Sequence, residues 1–253
     1  MNDFNLFSTS YSKVKGHKYD LAILPWGATE PHNLHLPYLT DCICAHRVAV
    51  DALAWAMKNA SIRGMVLPYI PLGSQNQGQR DKLFCIHARY ETQKAVLTDV
   101  VASLSGQGIS KLVIVNGHGG NSFKNMLRDL LVDYPDFLIA VVDWFAVVPQ
   151  TGYFNEKDDH AGEMETSVVL YYHPELVSFD EAGDGAFNRF AIDAFNNGTA
   201  WTPRNWDRIS RGDTGVGNPK SASAEKGERF VKAVVEKIGQ LFIDFSTKEL
   251  YYL

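Results

Sequence analysis

The sequence predicts an α/β chain in three layers, α/β/α, with a mostly parallel central sheet covered on both faces. Three observations carry that expectation. Apolar runs of strand length at 20–26, 65–70, 111–116 and 137–145 alternate with segments of helical spacing. The runs are continuous, as strands buried on both faces require. No linker-like composition or internal repeat interrupts the 253 residues, so a single domain over 1–253 is expected.

Each element has its own signal. "DLAILPW" (20–26) is an apolar run with a proline near its end. In "CICAHRVAVDALAWAMKNA" (42–60) the apolar residues recur at helical spacing, and Asp41 is a candidate N-cap. "MVLPYI" (65–70) reads as a second strand, and 92–105 as a helix ended by "GQG". "KLVIVN" (111–116) is a third strand, followed by a helix over 122–134 that stops before Pro135. "FLIAVVDWF" (137–145) is the fourth strand. Helices are expected at 161–172 and at 223–242. Residues 181–220 are loop-rich, with Phe187, Phe190, Phe195, Trp201 and Trp206 among glycine, asparagine and arginine. They read as an excursion of the same domain, a cover over a site or a contact between copies.

Bulk properties narrow the function. A hydrophobic share of 45% with 21% charged residues is globular and argues against disorder. The net charge of -5, without a basic block, gives no footprint for nucleic acid and no polybasic patch for a membrane surface. No window approaches the roughly 18 apolar residues of a membrane span, and the first twenty residues lack the apolar core of a secretory signal. Cys42, Cys44 and Cys85 form no CxxC pair and read as reduced thiols in a cytoplasmic protein, the first two packed in the core.

In open α/β sheets, ligands bind beyond the carboxyl ends of the strands, and three polar clusters fall there. The first run meets "LPWGATEPHNLHLPYLTD" (24–41), which crowds Glu30, His32, His35 and Asp41 into twelve residues. The third runs into "NGHGGN" (116–121) with His118, and the fourth leads towards "HAGEMETS" (160–167) with His160, Glu163 and Glu165. If 30–32 is extended, Glu30 and His32 point the same way, and Asp41 has two oxygens with which to bridge two ions. Imidazole and carboxylate ligands suit zinc, manganese or iron. "NGHGGN" lacks the GxxxxGK[ST] pattern of a phosphate-binding loop.

These blocks, together with "GVGNPKSASAEKG" (215–227), resemble the signatures of the creatininase (creatinine amidohydrolase) family, in order, over about residues 20–240. The resemblance implies an α/β/α fold, two divalent ions per subunit and hydrolysis of a carbon–nitrogen bond. It also implies a homo-oligomer, a hexamer in the family. Zinc is the first expectation, with manganese or iron as alternatives. Carried over by motif, Glu30, His32, Asp41 and His118 fall on metal ligands, with Asp41 as the bridge, Glu30 and His118 on one ion and His32 on the other. His160 falls on the family's proton-handling histidine, and His35 is not a ligand but hydrogen-bonds or packs beside one.

The departures bear on the substrate. Creatininase has a tyrosine and a glutamate where this chain has Gly119 and Gly120, so one ligand of the second ion is missing. Glu163 is expected to supply it, with Glu165 as the other candidate. The segment 73–87 also differs, and Gln75, Asn76, Gln79 and Arg80 suit a hydroxylated or anionic ligand as well as they suit a surface loop. Trp144 is placed to wall one face of a flat ring. The expected reaction is attack of a metal-activated water on a carbonyl of a small, cyclic or amide-type molecule, at a bond other than a peptide bond. Glu163 or Glu165 would orient the water, and His160 would deliver a proton to the leaving group. Opening of a cyclic keto-sugar or inositol-derived ring stays as an alternative, as does metal binding without catalysis.

Overall fold

In the computed structural model, which describes residues 3–156 and 160–251, four parallel strands form one sheet. The strands are β1 (Leu21–Trp26), β2 (Gly64–Val66), β3 (Lys111–Asn116) and β4 (Leu138–Asp143), in the order β2-β1-β3-β4. The helices are α1 (Tyr11–Val14), α2 (Thr40–Asn59), α3 (Tyr90–Gly106), α4 (Lys124–Asp133), α5 (Glu163–Tyr172), α6 (Asp193–Asn196), α7 (Trp206–Ile209) and α8 (Ala224–Thr247).

The period of two along a strand explains the layers. Leu21, Ile23, Val113 and Val115 turn to one face, where they pack with Val48 and Leu53 of α2, Val168 of α5 and Phe230 and Val234 of α8. Ala22, Leu24, Leu112 and Ile114 turn to the other, against Leu97 and Val101 of α3 and Met126 and Leu130 of α4. Burial on both faces is why β1 is apolar throughout and β3 is apolar from Leu112 to Val115. Each fully buried large side chain, Phe230 and Phe242 among them, contributes about 1.5–3 kcal/mol.

Two elements differ from expectation. The second run is strand only over Gly64–Val66: the Leu67 N–H still donates to the Ile23 carbonyl at 2.8 Å, but the next ladder bond is missing because Pro25 of β1 has no N–H to donate. Contact with β1 resumes where the Ile70 N–H donates to the Pro25 carbonyl, 3.0 Å. The missing N–H of Pro25 faces the β2 side, so its pairing with β3 is kept. Helix α2 starts at Thr40 with Leu39 as N-cap, so Asp41 sits in the first turn and its carboxylate is not spent on capping. No helix among the described residues is long and apolar enough to cross a membrane.

Strand order reverses between β1 and β3: the chain leaves β1 towards β2 on one side, and β3 leads to β4 on the other. The carboxyl ends of β1 and β3 meet at the Trp26–Asn116 pair, and the loops that follow diverge into the crevice beyond it.

Candidate metal centre

Six ionisable side chains converge in that crevice. Glu30 and His32 follow β1, Asp41 opens α2, His118 follows β3, His160 lies on the approach to α5, and Glu165 is in the first turn of α5; all are buried. His118 Nδ1 lies 2.9 Å from Glu30 Oε1 and 3.1 Å from Asp41 Oδ2. His32 Nε2 lies 3.0 Å from Asp41 Oδ1. Asp41 therefore presents one oxygen to each imidazole. His160 Nδ1 is 3.9 Å from Glu30 Oε1, and the His32 and His160 rings are 4.3 Å apart.

The far side of every imidazole is held by a backbone carbonyl. His32 Nδ1–H donates to Glu30 O (3.1 Å), His118 Nε2–H to Ser74 O (2.9 Å), and His160 Nε2–H to Pro31 O (3.0 Å). These bonds fix the ring orientations, so the remaining nitrogen of each ring is the one that faces the carboxylates. Gln79 Nε2 donates to Glu30 Oε2 and to Pro31 O, both 3.1 Å, and so orients the Glu30 carboxylate.

Electrostatics show what this donor set requires. Burial penalises an ionised Glu30, but His118, His160 and His32 outweigh it and hold its carboxyl well below the usual range. Burial also lowers His32, yet Asp41 overrides it and lifts the imidazole to about 10. His118 is raised well above its ordinary value because Glu30 and Asp41 outweigh its burial. His160 is lowered by burial and by His32 beside it. Without an ion, protons on His32 and His118 neutralise the buried carboxylates; a divalent cation would do the same work. Asp41 Oδ2, near His118 yet making no aligned hydrogen bond, is a further sign that the set fits a metal.

Ligand atoms fall into three groups, each mutually within 4.8 Å: Glu30, Asp41 and His118; His32, Asp41 and Glu165; Glu30, His32 and His160. Glu163 belongs to none, which corrects the sequence expectation. Its carboxylate turns to the opposite side of α5, where it accepts the N–H groups of Asn155 (2.7 Å) and Glu156 (2.8 Å) and pairs with Lys226 of α8. Glu165 stands in the crevice, its Oε2 accepting the Ala161 N–H at 2.6 Å. No residue but glycine fits at 120, because a Cβ there would lie 2.3 Å from Ser74 O and 2.5 Å from His118 Nε2, across the bond that anchors His118.

The centre floors an open cavity of about 1050 Å³. Gln75 and Arg80 line it, but Trp144 does not. Trp144 is a core residue, 1% exposed, packed on Phe230, and its neighbour Phe145 reaches the cavity instead. His35 donates to or accepts from Thr166 Oγ1 at 2.8 Å, behind the centre, and burial followed by repulsion from His32 brings it down to about 4. The excursion contributes Phe190, Phe195 and Trp201 to the cavity wall, while the Thr214 hydroxyl accepts the Asn33 N–H. Non-glycine residues with positive φ surround the Pro31 carbonyl: Asn33, Ala161 and Thr214, at 54°, 52° and 67°. Such backbone costs on the order of 1–3 kcal/mol each and collects at functional sites. Ser74, Gln150 and Thr214 went unread in the sequence; the first acts through its backbone, and no spacing marks the other two.

A parallel α/β sheet with imidazoles and carboxylates gathered at its strand ends is a donor set that could hold a metal ion. The creatininase family, described as creatinine amidohydrolase, matches residues 8–242, and the chain belongs to that family. It is 27% identical over 237 residues to the creatinine amidohydrolase of Pseudomonas putida, covering 85% of this chain and 86% of that one. It is 28% identical over 238 residues to the mycofactocin precursor peptide peptidase of Mycobacterium ulcerans, covering 90% and 86%. A crystal structure from Bacteroides fragilis, of a protein provisionally named a creatinine amidohydrolase, is 56% identical over all of both chains, with a TM-score of 0.97. Creatininase structures of a Zn–Zn type and with Mn share the fold at 20% identity, with TM-scores of 0.80 and 0.76.

Proposed function

We propose that this chain is a metal-dependent hydrolase that brings an activated water to the carbonyl of a carbon–nitrogen bond. One observation carries the reading: three imidazoles, each fixed by a backbone carbonyl behind it, turn their second ring nitrogen towards buried carboxylates at the floor of an open cavity. Glu30, Asp41 and His118 would hold one divalent ion, and His32, Asp41 and Glu165 the other, with Asp41 shared. Bound there, such ions lower the pKa of a water to about 7 and polarise a carbonyl. Imidazole and carboxylate donors suit zinc, manganese and iron, and the Zn–Zn and Mn forms of creatininase support the first two.

The chain's own groups do the rest. His160, neutral at pH 7 because its burial disfavours a charge, would take at Nδ1 the proton given up by the attacking water and hand it to the leaving nitrogen. Glu165, held by the Ala161 N–H, orients the attacking water. The relatives' names favour a carbon–nitrogen bond over ring opening of a cyclic keto-sugar, and peptide bonds stay among the candidates. An open cavity over the donor set disfavours a purely structural metal, whose site would be closed.

The test offers cyclic amides, ureides, formamides, short peptides and keto-inositols to the metal-loaded protein, with and without a chelator. Hydrolysis of one amide class, abolished by chelation and restored by zinc or manganese, is the expected result. Turnover untouched by complete metal removal contradicts it. Assembly into a homo-oligomer, up to the hexamer, belongs to the same reading. Exposed Leu34, Leu83 and Phe84 support it, and a monomer in light scattering contradicts it.

A further inference from the structure

The cavity above the centre is far larger than one small ring needs. At the roughly 30 Å³ that a water takes in the liquid, a ring of about eight heavy atoms fills only about a quarter of it. What lines the remaining space is unusual. Gln79 is 1% exposed, and both acceptors around its Nε2, Glu30 Oε2 and Pro31 O, fix the orientation of the amide. Its Oε1 is then a buried acceptor without a partner. Gln75 Nε2 and Gln150 Oε1 are likewise buried and unpartnered, and all three glutamines line this one cavity. They come from the loops after the two edge strands, Gln75 and Gln79 after β2 and Gln150 after β4.

A buried amide atom left without a hydrogen bond costs about 1–3 kcal/mol. A ligand group brought against these atoms would supply the hydrogen bonds they lack. No lysine reaches the cavity; its cationic lining residues are Arg204 and Arg80, the latter exposed with its Nε 3.8 Å from Asp81. The floor carboxylates are engaged with the imidazoles.

We propose that this cavity selects a substrate much larger than a single small ring, whose arm away from the reacting carbonyl bears N–H or O–H groups donated to Gln79 Oε1 and Gln150 Oε1 and an oxygen that accepts from Gln75 Nε2. The inference rests on the hydrolase reading, and adds what the substrate must carry at the end that does not react. A site built around such bonds rejects analogues that lack them, because the amides would be left unpaired.

The test is calorimetric, on the zinc-loaded protein, with four hydroxamates that anchor on metal. Acetohydroxamate has no arm; the others add an acetylated amino-methyl arm, a dihydroxyethyl arm and a carboxyethyl arm. At least one neutral arm is expected to bind ~10-fold tighter than acetohydroxamate, as two or three neutral hydrogen bonds allow. Which neutral arm gains more tells amide from hydroxyl. Gln75→Leu and Gln150→Leu, which do not touch Glu30, should bring that gain to within about threefold and leave acetohydroxamate unchanged. A gain confined to the carboxylate arm, no gain for any arm, or a gain that survives both substitutions overturns the inference alone. Failure of every hydroxamate to bind removes the metal reading, and this inference with it.

Discussion

Glu163 and Lys226 form an ion pair between the first turn of α5 and the first turn of α8, with the Glu163 side chain fully buried. The pair also ties down the chain before His160, since the same carboxylate takes the N–H groups of Asn155 and Glu156. Breaking such a pair leaves a buried charge uncompensated, at about 3–5 kcal/mol. Lys226→Met is therefore expected to lower stability by that order in chemical denaturation and to leave the metal content intact. Loss of metal with unchanged stability would reverse the assignment.

Glu165 carries the opposite expectation. Glu165→Gln should reduce bound metal from two ions towards one, measured by elemental analysis after dialysis, while Glu163→Gln keeps both. Equal retention by the two variants contradicts the placement of Glu165 at the second ion.

That contrast shows where the sequence stops. Residues 163 and 165 lie two apart on a helix, about 200° around its axis, so only one can face the crevice. The motif does not say which, because the phase of α5 is set by its packing on α2 and α8. Glu30, His32, Asp41 and His118 were legible because each follows a readable strand or opens a readable helix. Trp144 misled because a large apolar residue at a strand end serves a core as well as a pocket wall. The short β2 was hidden in an apolar run whose ladder stops where Pro25 of β1 has no N–H to donate. Gln150 carries no signal at all, since a lone glutamine in a loop looks like surface until the fold buries it.

Gly120→Ala tests the anchor behind His118. Its methyl would meet Ser74 O and His118 Nε2 at 2.3 and 2.5 Å, so the bond between them must give way. Losing a partner of this kind typically costs 10–100-fold in metal affinity, and a chelator competition should read a loss of about that size. Affinity within twofold of the parent would show that the His118–Ser74 bond is dispensable.

Protons and metal compete for the same groups. In the metal-free protein His32 is raised to about 10 and His118 is raised well above its ordinary 6.5, so both carry protons at pH 7. Ion binding at that pH should release protons, seen as a binding enthalpy that varies with the ionisation enthalpy of the buffer. The sign for metal-free stability follows from the same shifts. The His32 contribution is complete below about pH 6.5 and is lost as the pH rises through about 10. The Glu30 contribution, from a lowered pKa, is present above about 4.5 and is lost as the pH falls through its folded value. Metal-free stability should therefore decline from pH 7 towards 10, and a rise over that interval would contradict the pairing.

Asp41 presents Oδ1 to His32 and Oδ2 to His118, the position from which it would serve both ions. The most direct measurement is the metal-to-chain ratio, by elemental analysis, of the native protein and of Asp41→Ala, each reconstituted with zinc and dialysed, with circular dichroism to confirm folding. Two ions in the parent, and at most one weakly held ion in a folded Asp41→Ala, is the predicted result. A folded Asp41→Ala that keeps both ions would contradict it.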